Sequence, residues 1–359
     1  MKEHGLKIWG RLLPAVGIGL FLATTGWAQV SATVEAPKPR EAGADITVVP
    51  ANDLQWVVDE ALALYKNDNR GENASYIKIL TETPSNLFGV VVVMTDGKVF
   101  KAGDVDYKFS IQSVSKPFTA ALVMTQQSPE VLKEKIGVEP TGMKFNSKLA
   151  LGLYENSVNP MVNAGAIAAV SLVKAGSEEE RWNLILKNLS DFAGEPLTML
   201  QKVFDSEYGD CEGNRGIAHL LKNWGRLYSD PEEALRVYTK ECSVGVNALD
   251  LGMMGATLAN GGVNPKTGKR VMKAEDVPEL LAVMATAGFY DESGAWMYTA
   301  GLPAKTGVGG GIVAVVPGKM GIAAFSPRLN EAGNSIRASE AIEHISKTLG
   351  LNVFGSGKK

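Results

Sequence analysis

Ser113 and Lys116 stand three residues apart in FSIQSVSKPFTAALVM (109–124), where a polar segment meets an apolar run. A Ser-x-x-Lys pair activates a serine without help from histidine. The pattern has two wildcards, and the chain carries it four times, as Ser75/Lys78, Ser113/Lys116, Ser171/Lys174 and Ser356/Lys359. Histidine offers little competition as the base. Of the three, His4 lies in the N-terminal leader, and His219 and His344 lie in the helical patterns IAHLLKNW and AIEHISK, where a surface or packed imidazole is the ordinary reading. A cysteine nucleophile meets the same shortage of partners. The scattered His and Cys give no metal-ligand spacing, so no metal is expected, and no cofactor motif is present. If the chain is a hydrolase, lysine is the best available base.

Position separates the four pairs. Ser356/Lys359 is a chain end. Ser171/Lys174 closes an apolar helix before Gly176, where a lysine complements the helix dipole. Ser75/Lys78 sits in a short polar segment. Ser113/Lys116 alone opens a helix directly after a hairpin. The i, i+3 spacing puts both side chains on one helix face. The first helical turn adds unclaimed N–H groups and the positive dipole end, both suited to an oxyanion. Pro117 is tolerated only in a first turn, which places Ser113 at the helix mouth. The pattern alone leaves a plain helix cap with an exposed lysine open. A working base also requires the lysine to fall from about 10.4 to ~7–8, a penalty on the charged form of about 4 kcal/mol, which burial can supply.

Lys-Thr-Gly occurs at 266–268, in the polar turn NPKTGKR, and at 305–307, where it opens the strand GVGGGIVAVV. Glycine there permits close approach to the backbone. A strand follows rather than a helix, which excludes a phosphate loop.

The elements that must position these residues follow from periodicity. DLQWVVDEALALY reads as a helix with Asp53 as N-cap, and LFGVVVVMTDGKVFKAGD as a hairpin turning at Asp96-Gly97. Residues 117–300 are mostly helical in pattern. GGIVAVVPGKMGIAAFSP reads as two strands around Pro317-Gly318, and NSIRASEAIEHISKTLG as a closing helix capped by Asn334 or Ser335 and stopped at Gly350. The expected fold is α/β of the α+β kind: one antiparallel sheet from the two hairpins, terminal helices on one face, a large helical insert beside it, and a site in the cleft between them.

The chain has 359 residues, 45% hydrophobic and 21% charged, with a formal charge of −3. That composition suits a sizeable globular core and suggests neither nucleic acid nor an acidic tail. Lys2, Lys7 and Arg11 precede the apolar run Leu12–Ala23, and Gly26 and Ala28 fit a cut after Ala28. The expected layout is a signal peptide (1–28), a linker (29–45), a folded domain (46–352, with sheet parts about 46–112 and 301–352 and a helical part about 113–300) and a flexible tail (353–359). The expected location is periplasmic or secreted, with no membrane contact after cleavage. Cys211 and Cys242 allow one disulfide and no framework.

Ser-x-x-Lys after a hairpin with Lys-Thr-Gly on a late strand resembles the serine β-lactamase and penicillin-binding fold. The blocks GVEPTGMKFNS, NPMVNAGAI, SEYGDCEGNRGIA, ECSVGVNALDLGMMGATLANGGVNPKTG, GFYDESGAWMYTAGLPAKTGVGGGIVAVVPG and FSPRLNEAGNS resemble one branch, the serine-dependent glutaminases, from about Leu54 to Leu349. The resemblance implies hydrolysis of the L-glutamine side-chain amide to L-glutamate and ammonia through an acyl-enzyme. It implies Ser113 as nucleophile, Lys116 as base, Tyr290 as proton relay, and the N–H groups of Ser113 and Val308 as oxyanion hole. It further implies Glu207 for the α-ammonium, with Asn163, Asn214, Tyr76 and Tyr238 as neutral partners of the substrate, and a homo-oligomer, dimer or tetramer. Pro117, the Ala-Gly-Phe before Tyr290, and the leader depart from the commoner family pattern. The alternatives are an exported β-lactamase or DD-peptidase-like enzyme, for which a Ser-Asp-Asn element is missing, and a non-catalytic amino-acid-binding module.

Overall fold

The computed structural model describes residues 51–355. The leader, the linker and the Ser356/Lys359 pair lie outside them. The strands are β1 (Gly89–Met94), β2 (Val99–Gly103), β3 (Phe109–Ser110), β4 (Thr198–Met199), β5 (Val244–Val246), β6 (Ala304–Thr306), β7 (Gly311–Val316) and β8 (Met320–Phe325). Five form one antiparallel sheet in the order β2-β1-β8-β7-β6. Both expected hairpins are present, turning at Asp96-Gly97 and Pro317-Gly318, and β1 pairs with β8 to join them.

Alternation along the central strands explains the layering. Val90, Val92, Ile312, Ala314, Ile322 and Ala324 face the terminal helices Ala51–Tyr65 and Ile336–Leu349, with Leu54, Val58, Ile342 and Ile345 in the same cluster. Val91, Val93, Val313, Val315 and Ala323 face the other way, into the helical block, where the buried helix Ala248–Ala259 lies against the sheet. Because both faces are covered, the central strands read as continuous apolar runs.

Four local details differ from the sequence reading. The first helix starts at Ala51, so Asp53 stands inside its first turn and is not the N-cap. Lys305-Thr306 belongs to its own edge strand, β6; a turn at 307–310 separates it from β7. Ser335 is the N-cap residue of the last helix, but its hydroxyl donates to Ser326 O at 2.7 Å and makes no cap bond. A second sheet, β3-β5-β4, runs inside the otherwise helical region. Its strands are two or three residues long, too short to show a period. Gly350, in the left-handed region, ends the last helix as expected.

Candidate active site

The small sheet sets the position of Ser113. β3 pairs with β5, and Ile111 continues the pairing by donating its N–H to Val244 O at 2.8 Å. The chain then tightens into a 3₁₀ turn, Gln112–Ser115, which runs into the α-helix Lys116–Gln126. Ser113 therefore sits in a 3₁₀ lead-in, one turn ahead of the α-helix proper. Pro117 falls in the first α-helical turn, where its missing N–H costs nothing. Gln112 enters the turn at φ +49°, a conformation unusual for a non-glycine residue. The strain is held in place by Ser115 Oγ, which donates to Gln112 O at 2.9 Å.

Lys116 Nζ lies 2.5 Å from Ser113 Oγ, and its second partner is Asn163 Oδ1 at 3.0 Å. Asn163 opens the buried helix Asn163–Leu172. Its Oδ1 also accepts from Tyr238 Oη at 3.2 Å, and its Nδ2 donates to Asn214 Oδ1 at 2.9 Å. Four helices thus converge on one polar chain: Ser113, Lys116, Asn163, Tyr238 and Asn214. Lys116 is 1% exposed and Ser113 6%. Burial pulls the Lys116 pKa below its ordinary value; the acidic groups Cys242, Glu241 and Glu207 oppose it, when ionised, without reversing the shift. The direction is the one a base requires.

The turn between β6 and β7 presses on the Ser113 turn. A Cβ at Gly309 would lie 2.4 Å from Ser110 O, and one at Gly307 3.0 Å from Ile111 O. Only glycine allows this approach, and it carries the intervening Val308 against residues 110–114. Among the described residues no acceptor takes the N–H of Val308 or of Ser113. Two unclaimed donors beside a nucleophile match what an oxyanion needs.

Tyr290 begins a 3₁₀ turn at φ +57° and is buried. Its ring packs against Phe145, with centroids 4.6 Å apart. Its hydroxyl has no hydrogen-bond partner of acceptable geometry. Ser113 is still near enough to draw its pKa down against the stronger upward effect of burial. Glu207, half-buried on the helix Gln201–Gly209, accepts from Gln112 Nε2 at 3.0 Å. Burial pushes its pKa up to about 7, with the Gln112 bond and Lys116 opposing. An ammonium group beside it would offset that desolvation. Tyr76 is 55% exposed and lies just before the 3₁₀ turn Lys78–Glu82, which packs on the Glu207 helix. It makes no hydrogen bond with the others, but Tyr290 and Glu207 both act on its hydroxyl.

The other pairs are unsuited. Ser75 and Lys78 are exposed. Ser171 Oγ donates to Ala168 O and accepts from Tyr228 N, while Lys174 is exposed. His219 approaches Glu232, and His344 approaches Glu60. Cys211 and Cys242 are both buried and unpaired, so the single disulfide the sequence allows does not form. Among the described residues no cluster of His, Cys, Asp and Glu is placed to hold a metal.

Two groups at the site had no signal of their own in the sequence. Gln112 is known only through its neighbour Ser113. Glu241, 1% exposed on the helix Pro231–Cys242, shows only helical periodicity, yet neither carboxylate oxygen has a well-formed hydrogen bond. Burial pushes its pKa up to about 7, against the influence of Ser115, Thr119 and Lys116. A carboxyl raised from 4.5 to about 7 destabilises the fold as pH climbs through that interval, and fully above it. Glu241→Gln is therefore expected to stabilise the protein at pH 8, on the order of 3 kcal/mol, and to change little near pH 4.5. Urea unfolding at both pH values checks this; equal effects at both would contradict it.

A profile of the Glutaminase family matches residues 71–354. The chain is 52% identical over 302 residues to a Glutaminase of Mycobacterium ulcerans (strain Agy99), covering 84% of this chain and 94% of that protein. It is 48% identical over 308 residues to Glutaminase 1 of Escherichia coli (strain K12), covering 86% and 99%. Among solved structures, one described as "Probable glutaminase ybaS" matches with a TM-score of 0.85 at 48% identity, over 86% of this chain and 100% of that one. A "Probable glutaminase from Bacillus subtilis complexed with 6-diazo-5-oxo-L-norleucine" matches with a TM-score of 0.77 at 28% identity, over 86% and 99%. The antiparallel sheet, its terminal helices and its helical insert agree with the β-lactamase-like fold. This chain belongs to the glutaminase family.

Proposed function

We propose that this protein hydrolyses the side-chain amide of L-glutamine to L-glutamate and ammonia through a covalent glutamyl ester on Ser113. The observation that carries the reading is the 2.5 Å contact between Ser113 Oγ and a buried, pKa-lowered Lys116 Nζ. Neutral Lys116 takes the Ser113 proton as Oγ bonds to the amide carbon. The resulting oxyanion accepts from the N–H groups of Ser113 and Val308, donors worth ~10²–10³ in rate apiece. The C–N bond then breaks; the proton on Lys116, relayed by the Tyr290 hydroxyl, goes to the leaving nitrogen and ammonia departs. Water attacks the ester, Lys116 takes its proton, and the proton returns to Ser113 Oγ as glutamate leaves. Glu207 faces the substrate α-ammonium, while Asn163, Asn214, Tyr238 and Tyr76 bind its remaining polar groups. No metal or cofactor enters this scheme.

The test is ammonia release by purified residues 29–359, measured with glutamine and with asparagine. Turnover of glutamine supports the proposal. Labelling by a fluorescent penicillin with no ammonia release would replace it with a β-lactam-reactive enzyme. Tight glutamine binding by calorimetry without turnover would replace it with a binding module. We also propose export to the periplasm or beyond, cleavage after Ala28, and assembly as a homodimer or tetramer. The N-terminal sequence of the secreted product and its mass by light scattering check these three statements.

A further inference from the structure

The second Lys-Thr-Gly has no part in the chemistry above, yet its lysine is wholly buried. Lys305, 0% exposed on the edge strand β6, donates from Nζ to Gly288 O at 3.1 Å and to Thr306 O at 2.6 Å. The same Nζ stands 4.3 Å above the centroid of the Tyr290 ring. Gly288 O accepts a second bond, from Thr306 N at 3.2 Å. A Cβ at Gly288 would lie 1.8 Å from Ala304 O, so this backbone is pressed directly onto β6. Two residues later the chain takes the φ of +57° that aims the Tyr290 ring. A non-glycine residue in that region carries strain of about 1–3 kcal/mol and stays there only when its surroundings over-determine it. On the far side, Ser293 Oγ accepts from Phe289 N at 2.9 Å and donates to Tyr290 O at 2.8 Å. Phe145 covers the ring. Lys305 supplies the polar restraint from the strand side.

The other charged or titratable groups acting on Lys305 are Lys116 and Cys242. Burying an amine without a counter-charge is costly, and a plain strand would not need one. Because both of its bonds go to backbone carbonyls and its amine sits over the tyrosine face, the group acts on Tyr290 and not on a substrate.

We propose that Lys305 is a positioning residue: by clamping Gly288 O to β6 and seating over the Tyr290 ring, it holds the Tyr290 hydroxyl beside Ser113. This rests on the proposed role of Tyr290 in proton transfer. The test is a double-mutant cycle of Tyr290→Phe and Lys305→Met, with glutamine turnover measured on variants shown to be folded by thermal melting. Each single variant is expected to lower kcat by about 10²-fold, the usual cost of a lost or misplaced proton-transfer group, while KM moves by less than about threefold. The double variant is expected within about twofold of Tyr290→Phe, because Lys305 has no further effect once the hydroxyl is gone. Near-normal kcat in folded Lys305→Met, or losses that multiply in the double variant, would overturn the role of Lys305 and leave that of Tyr290 intact. Normal turnover by Tyr290→Phe would overturn both. Should Lys305→Met fail to fold, Lys305→Gln, which still carries a donor toward one carbonyl, is read by the same cycle.

Discussion

Ser113→Ala is expected to lower kcat for glutamine by about 10⁴–10⁶-fold while leaving the fold and substrate binding close to normal. Oγ is the atom that would form the ester, and its contact with Lys116 Nζ goes with the substitution. The Cys242 thiol is buried and held protonated, its pKa pushed well above the ordinary thiol range by burial. The unclaimed N–H groups of Ser113 and Val308 belong to the backbone and survive the substitution, so a small residual rate from oxyanion binding remains. The measurement is steady-state ammonia release, with product glutamate binding followed by calorimetry. A variant that turns over at more than about a tenth of the wild-type rate would remove Ser113 as nucleophile.

Lys116→Met keeps the methylene stem and removes the base. It is expected to lower kcat by about 10³–10⁴-fold, and the double variant with Ser113→Ala to be no worse than Ser113→Ala alone, because the two side chains act as one unit. The pH dependence carries a further check. Neutral amine increases with pH, so wild-type kcat/KM rises through the folded-state pKa of Lys116, which burial holds below 10.5. That limb is expected to disappear in Lys116→Met. Wild-type stability rises with pH for the same reason. Between the lowered folded pKa and 10.5 the unfolded chain holds more protons on this lysine than the folded one, so its destabilising effect is full at low pH and fades as pH rises. Lys116→Met is therefore expected to be less active and more stable at neutral pH, with the gain shrinking toward pH 10.5. A variant that loses stability at pH 7 would count against a strained, desolvated base.

Residues close in sequence were legible because their geometry is local. The three-residue spacing of Ser113 and Lys116, the first-turn position of Pro117, the Asp96-Gly97 and Pro317-Gly318 turns and the Gly350 stop all follow from helix and turn geometry. The short strands β3, β4 and β5 were not legible, since two or three residues carry no period and pair only because the tertiary fold brings them together. Tyr76, Asn163, Glu207, Asn214 and Tyr238 are candidates that the resemblance alone supplied. Read singly, each fits a turn, a surface or a packing position.

FSIQSVSKPF by itself determined which serine a lysine can reach, since one turn of helix settles that distance. Only the tertiary structure sets the surroundings that pull the lysine pKa down, as a base would need. Its pKa depends on the burial produced by helices Lys116–Gln126, Asn163–Leu172 and Pro231–Cys242 together, and on an asparagine 47 residues away that gives it a neutral partner. Desolvation sums over every segment packed around the amine, and no short stretch of sequence contains that sum. Lys305 shows the same division. Its place in a Lys-Thr-Gly strand was visible from the sequence, whereas its hold on Gly288 and Tyr290 exists only because the chain folds β6 against that loop.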